Sequence, residues 1–369
     1  MSRNKMVKVL QFAPGFLFGG VESRMLDWYR NIDRDEVHFD LLKQSNNSDF
    51  TSNIEQLKEL GSNIFNIPQF KYYNVINYYR AINHFFKAHP GYEVVHSHSV
   101  TTGLFVLFYA KKYGIRKRVL HARTTRFDGN LFRRTLSRIM NYFARSYATD
   151  YFACSQKAGE FAFGKKNKFI VINNGIELDR FRLDYIQRDK MRKDLGLQDN
   201  FVVGSICRLT EPKNLPFVID ITMKLIKTEP TTKLLLVGDG PLNDYVKNRF
   251  VEANLSENLV LVGKKDNVWD YYFAMDVFLS PSLWEGFGTT VIEAQATGLP
   301  CIVSDNFPPS TEMSELMFRL SLSKPADFWM EKILNMKGLR NDQLMIRRIA
   351  NAGFDAQEVA NILEGFYKS

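Results

Sequence analysis

The chain has 369 residues, 45% of them hydrophobic, which supports cores for about two domains of ~150 residues each. No apolar run approaches the ~20 residues of a spanning helix, and Met1 to Lys5 lead into a strand pattern without the apolar core of a secretory leader. The net charge of +9 is uneven: residues 1–187 carry 28 Lys and Arg against 16 Asp and Glu, and residues 188–369 carry 21 against 24. A basic first half points to an anionic partner, namely nucleic acid, an anionic membrane surface or a phosphate-bearing substrate.

In chain order, strands are expected at Val7–Phe12, Val37–Leu42, Ser62–Ile67, Val94–His98, Arg118–His121, Tyr151–Cys154 and Phe169–Ile172. Helices are expected after Gly20 and over 74–87, 101–113 and 131–145. A polar stretch from Asn173 to about Asp199 then reads as a hinge. Strands restart at Phe201–Ile206, Lys233–Val237, Leu259–Val262, Val277–Leu279 and Cys301–Val303, with helices over 215–227, 243–253 and from about Thr289. An amphipathic helix over 355–367 closes the chain and could dock on either domain. Short apolar runs alternating with amphipathic segments predict two α/β, doubly wound parallel-sheet domains, at 1–185 and 186–352, with 353–369 a terminal helix that could cross back to the first. Cys154, Cys207 and Cys301 are far apart in apolar contexts, which fits buried thiols in a reducing cytoplasm rather than a metal site.

Ligands of such sheets bind at the carboxyl ends of strands. Gly19 and Gly20, before Glu22, join the first strand to the first helix and permit close backbone approach, although a simple tight turn uses the same residues. Arg208 and Lys213 follow the strand 201–206, and a fork and a point charge five residues apart suit a diphosphate; a solvated helix start is the alternative. The segment Pro281 to Ala294 places Glu285, Gly286, Phe287 and Gly288 in a loop, with Glu293 a turn into the next helix and Thr289 able to cap it. Carboxylates there can accept paired hydrogen bonds from sugar or ribose hydroxyls.

The pattern Glu285-x7-Glu293, within Glu-Gly-Phe-Gly-Thr-Thr-Val-Ile-Glu-Ala, resembles the signature of retaining family 4 glycosyltransferases. Gly19-Gly20-Val21-Glu22, Ile172 to Ile176, Arg208 with Lys213-Asn214, Val237 to Pro241 including Gly238, and Gly298-Leu299-Pro300 follow in that family's order. The chain is similar in particular to bacterial capsular and exopolysaccharide transferases. The resemblance implies a GT-B fold, two Rossmann-like domains facing across a cleft. It implies transfer from a nucleotide-sugar, a UDP-sugar, to a saccharide acceptor carried on a lipid diphosphate. By the resemblance, Arg208 and Lys213 neutralise the donor diphosphate, Glu293 binds ribose, Glu285 with the amides of 286–288 holds the sugar, Gly19 and Gly20 close over the phosphates, and Gly263 to Asp266, including Lys264, line the base pocket.

His96, His98 and His121 stand at adjacent strand ends. By resemblance His121 matches the histidine near the reacting carbon and His98 a second cleft position, while Arg123 stands where relatives often carry a further histidine. His98, Arg123 and Glu22 are therefore acceptor-side candidates. No metal is expected, and a metal-free transferase must offset the departing charge with protein cations. The only Asp-x-Asp, Asp33-Arg34-Asp35, reads as a surface turn. Basic residues in and near the helix 131–145 predict peripheral contact with an anionic inner membrane face. Two other readings stay open: a nucleotide-sugar epimerase of the same fold, and a nucleic-acid binder, for which no recognisable motif is present.

Overall fold

The computed structural model describes residues 6–14, 20–44, 52–127, 129–341 and 344–369. The chain divides into two compact units, Met1–Ile176 with Gly353–Ser369, and Glu177–Ala352.

The first unit runs β1 (Val7–Ala13), α1 (Gly20–Asn31), β2 (Val37–Gln44), α2 (Ser52–Glu59), β3 (Ile64–Ile67), α3 (Val75–Ala88), β4 (Val94–Ser97), α4 (Gly103–Lys112), β5 (Lys117–Ala122), α5 (Leu131–Tyr147), β6 (Asp150–Ala153), α6 (Gln156–Phe163) and β7 (Ile170–Val171). All its strand pairs are parallel, in the order β3-β2-β1-β4-β5-β6-β7. The second unit runs α7 (Tyr185–Asp194), β8 (Phe201–Ile206), α8 (Leu215–Thr228), β9 (Thr232–Val237), α9 (Asn243–Glu252), β10 (Leu259–Leu261), α10 (Val268–Ala274), β11 (Val277–Ser280), α11 (Thr289–Ala296), β12 (Cys301–Ser304), β13 (Met317–Leu320), α12 (Ala326–Leu334) and α13 (Met345–Ile349). Its sheet is also parallel, in the order β10-β9-β8-β11-β12-β13. The apolar run Phe201–Ile206 is buried along its whole length, as a parallel strand covered on both faces requires.

The last helix, α14 (Ala356–Lys368), belongs to the first unit. Val359, Ala360, Leu363 and Tyr367 join Trp28, Tyr29, Phe39 and Phe152 in one core. Asp355 caps the helix, accepting from the amides of Gln357 and Glu358. The junction lies between Ile176 and Glu177 rather than at 185 because Ile176 pairs with the returning chain: its amide donates to Phe354 O at 2.9 Å, and Ala356 N donates to its carbonyl at 3.0 Å. The stretch expected as a hinge contains α7. Ion pairs hold this helix, since Arg188 and Arg192 reach Asp276 at 2.6 and 3.2 Å, so apolar periodicity does not betray it. Asp33 to Asp35 form an exposed turn. No helix among the described residues is long and apolar enough to cross a membrane.

Candidate active site

In the second unit, chain order reverses at β8: β9 lies on one side and β11 on the other. Ligands of open α/β sheets bind at the carboxyl ends of the strands flanking such a point. The loops leaving β8 and β11 are tied together there. Leu283 N donates to Pro212 O at 2.8 Å, and Asn214, itself left-handed at φ 53°, donates from Nδ2 to Pro281 O at 3.1 Å. This brings Lys213 Nζ to 2.5 Å from Glu285 Oε1, which also accepts from Ser282 Oγ at 2.8 Å. Burial pulls the Lys213 pKa down, but the Glu285 carboxylate outweighs it and the net shift is upward, so the ammonium stays charged. Arg208 is exposed and forms no ion pair with the described residues. The loop thus holds one cation already paired and one open to an incoming anion.

Glu293 is buried on α11, and Oε2 accepts from Tyr272 Oη at 2.9 Å. Burial, and then the Glu293 charge, push the Tyr272 phenol well above its ordinary range, so it remains a donor. Tyr272 is a site residue that the sequence reading missed. Thr289 is not the cap of α11. Gly288 occupies that position at φ 89°, and a Cβ there would lie 2.4 Å from the Phe307 ring. Gly238, at φ 137°, packs so closely that a Cβ would meet Cys207 O at 1.8 Å, and its amide donates to Gly263 O at 2.8 Å. The ends of β8, β9 and β10 are therefore drawn together. Lys264 is exposed beside them, Gly286 is half-buried and Phe287 is buried. Cys207 is no nucleophile, since burial pushes its thiol up to about 11.

In the first unit the reversal is at β1, with β2 and β4 as neighbours. Gly19 lies outside the described residues; Gly20 begins α1, and the side chain of Glu22 also lies outside them. The histidines come together, buried. His96 Nε2 is 2.9 Å from His121 Nδ1, His96 Nδ1 is 2.6 Å from Tyr367 Oη, and His98 Nε2 is 2.9 Å from Gln11 Oε1. Trp28 lies against all three rings, at centroid distances of 6.1, 5.8 and 6.2 Å. Arg123 spreads over the Trp28 ring at 4.8 Å, donates to Asn174 Oδ1 at 2.6 Å, and approaches His98 Nδ1 at 3.3 Å. Burial first, then the Arg123 charge, hold the His96 and His121 pKa values well below the usual imidazole range; at His98 burial, His96 and Arg123 act in that order. All three are neutral at pH 7. Sequence reasoning found the histidines and Arg123 but missed Gln11, Trp28 and Tyr367, which come from distant elements.

These imidazoles are also the group with metal-ligand spacing among the described residues, their nitrogens within 4.8 Å of one another. Both nitrogens of His96 and of His98 are in hydrogen bonds, and a guanidinium adjoins His98. A cation would have to break those bonds beside a fixed positive charge, so the arrangement suits hydrogen bonding better than metal binding.

Residues 18–180 match the family model Glycosyltransferase Family 4, and residues 187–316 match Glycosyl transferases group 1. EpsF of Bacillus subtilis (strain 168) is 29% identical over 370 residues, covering 98% of this chain and 96% of that protein. The Escherichia coli UDP-Gal:alpha-D-GlcNAc-diphosphoundecaprenol alpha-1,3-galactosyltransferase is 31% identical over 224 residues, covering 58% of each. The crystal structure of Anabaena HepE with UDP and glucose superposes with a TM-score of 0.78 at 20% identity, covering 98% of this chain and all of that one. The chain therefore belongs to the glycosyltransferases of GT-B fold, a Family 4 domain followed by a group 1 domain, and is related to the bacterial enzymes of polysaccharide synthesis.

Proposed function

We propose that the protein moves a hexosyl or N-acetylhexosaminyl group from a UDP-sugar, with retention of configuration, onto a saccharide carried on a lipid diphosphate. The observation that carries this reading is the pair of loops at the β8–β11 reversal, which the Lys213–Glu285 ion pair joins, with Arg208 exposed in the first loop and Glu293 buried on the helix that follows the second. Arg208 and Lys213 offset the charge of the departing diphosphate without a metal. Glu293, held by Tyr272, accepts from the ribose hydroxyls, and Glu285 with the amides of 286–288 holds the sugar. Gly263 and Lys264 border the base. His121, His98 and Arg123 serve the sugar and the acceptor. HepE is described with UDP-glucose, and the E. coli relative is named for a diphosphoundecaprenol acceptor, which supports the donor and acceptor classes.

A membrane-borne acceptor also fits α5. Its inner face is Met140, Asn141 and Ala144, while Leu131 and Phe132 are 77% and 69% exposed beside Arg133 and Arg138. Exposed apolar residues among cations suit the headgroup layer of an anionic leaflet. In the test, purified protein, UDP-sugars and a polyprenyl-diphosphate saccharide are combined in anionic and zwitterionic vesicles. The expected result is an α-linked product from an α-linked donor, formed faster on anionic vesicles. A β-linked product, or UDP-sugar epimerised with no acceptor present, overturns the reading.

A further inference from the structure

The hydrogen bonds around His121 run in one direction only, and Arg123 sets that direction. A guanidinium donates and cannot accept, so the contact from Arg123 Nη2 makes His98 Nδ1 an acceptor. Neutral His98 then carries its proton on Nε2 and donates it to Gln11 Oε1 at 2.9 Å. That orients the Gln11 amide, whose Nε2 donates to Tyr367 Oη at 3.3 Å. His96 Nδ1, 2.6 Å away, is then the one acceptor within reach of the Tyr367 hydroxyl proton among the described residues, so the phenol donates to it. His96, accepting at Nδ1, holds its proton on Nε2 and gives it to His121 Nδ1 at 2.9 Å. The last proton of the series stands on His121 Nε2, a buried atom with no hydrogen-bond partner among the described residues.

We infer that Arg123, His98, Gln11, Tyr367 and His96 form a relay that locks His121 as the Nε2–H tautomer, so that its unpartnered Nε2 is a hydrogen-bond donor and not a base. Reversing the first link is barred by the guanidinium, and reversing the link at Tyr367 would leave the phenol proton with no acceptor among the described residues. Burial supports the scheme from two sides: it keeps the imidazoles neutral, so each has one proton to place, and it raises the Tyr367 pKa, so the phenol keeps its proton. An N–H at this position recognises an oxygen acceptor. Resting on the reading proposed above, that oxygen belongs to the bound sugar. Tyr367 and Arg123 are then positioning residues, acting through the histidines.

The test reads the tautomer directly in the full chain, labelled with 15N-histidine, by two-bond nitrogen–proton correlation. The His121 signal is identified by its loss in His121→Gln, with the His96 and His98 signals identified in the same way by His96→Gln and His98→Gln. The expected result is a single neutral form protonated on Nε2. A proton on Nδ1, or a mixture in the unmodified protein, overturns the relay. Tyr367→Phe and Arg123→Met should each produce both tautomers at His121. With Tyr367→Phe, kcat should also fall about 3- to 10-fold at unchanged donor KM, the scale of one neutral hydrogen bond. A pure Nε2–H signal surviving in both variants overturns the relay as well. The readout needs no substrate, so absence of sugar transfer would count against the proposed function and leave this inference standing.

Discussion

The two units solve the same geometric problem, a site at the reversal of a parallel sheet, with opposite chemistry. In the second unit the groups are charged, near the surface and drawn from two loops: Arg208 and Lys213 after β8, Glu285 after β11. In the first, Arg123 apart, they are neutral and buried, and they come from β1, α1, β4, β5 and α14. A charged site works through the field it presents to a ligand and tolerates water. A neutral network works through which atom carries each proton, and it holds only while water and extra protons are kept out. The units should therefore fail under different insults.

Acid gives the largest expected separation. A histidine with a depressed folded-state pKa takes up protons more readily in the unfolded chain. Its contribution is complete above the unfolded value of about 6.5 and is lost as pH falls toward the folded value. With His96, His98 and His121 all depressed, the first unit should lose up to about 4 kcal/mol per pH unit below that point. Hydrogen exchange, read on peptides from each unit between pH 7.5 and 5.5, should show β4 and β5 losing protection before β8 and β11. Simultaneous loss in both sheets would break the comparison.

Next in size is the ion pair. Lys213→Ala leaves Glu285 without its counter-ion and, under the proposed function, removes a cation that faces the donor diphosphate, so transfer should fall about 10²–10³-fold, as on removal of a preorganised charge-stabilising group. The first unit's histidine signals should not move. Turnover within about 3-fold of wild type would take the pair off the reaction path. The smallest effects belong to the Glu293–Tyr272 pair, where Glu293→Gln keeps the side-chain shape and weakens the acceptor. UDP affinity measured by calorimetry should drop about 10-fold, and Tyr272→Phe should cost less, since the carboxylate stays. A greater loss with Tyr272→Phe would reverse their roles.

The contrast between the sites also explains what the sequence disclosed. Glu285, Gly286, Gly288 and Glu293 are spelled within nine residues of a strand-loop-helix unit, so spacing alone places them together. Gln11 and Tyr367 lie 356 positions apart, and no periodicity links them. Tyr367 reads as one more aromatic on an amphipathic face until α14 is seen against the β1–β4 sheet. Thr289 has cap chemistry but loses the position to Gly288, because the Phe307 ring fills the space a side chain there would need. Helix α7 escaped detection because arginine–aspartate pairs hold it where an apolar stripe would be expected. Strand positions were legible because buried parallel strands are continuous apolar runs, a property of composition rather than of partners.

The return of α14 makes the first unit discontinuous in the chain, while the second is one uninterrupted segment. During synthesis the ribosome delivers the second unit whole before it delivers the piece that closes the first. Val359, Leu363 and Tyr367 fill the same core as Trp28 and Phe39, so that core stays open to solvent until residue 367 emerges. The unit begun before the other is thus sealed after it, and its histidine network cannot form before Tyr367 has emerged.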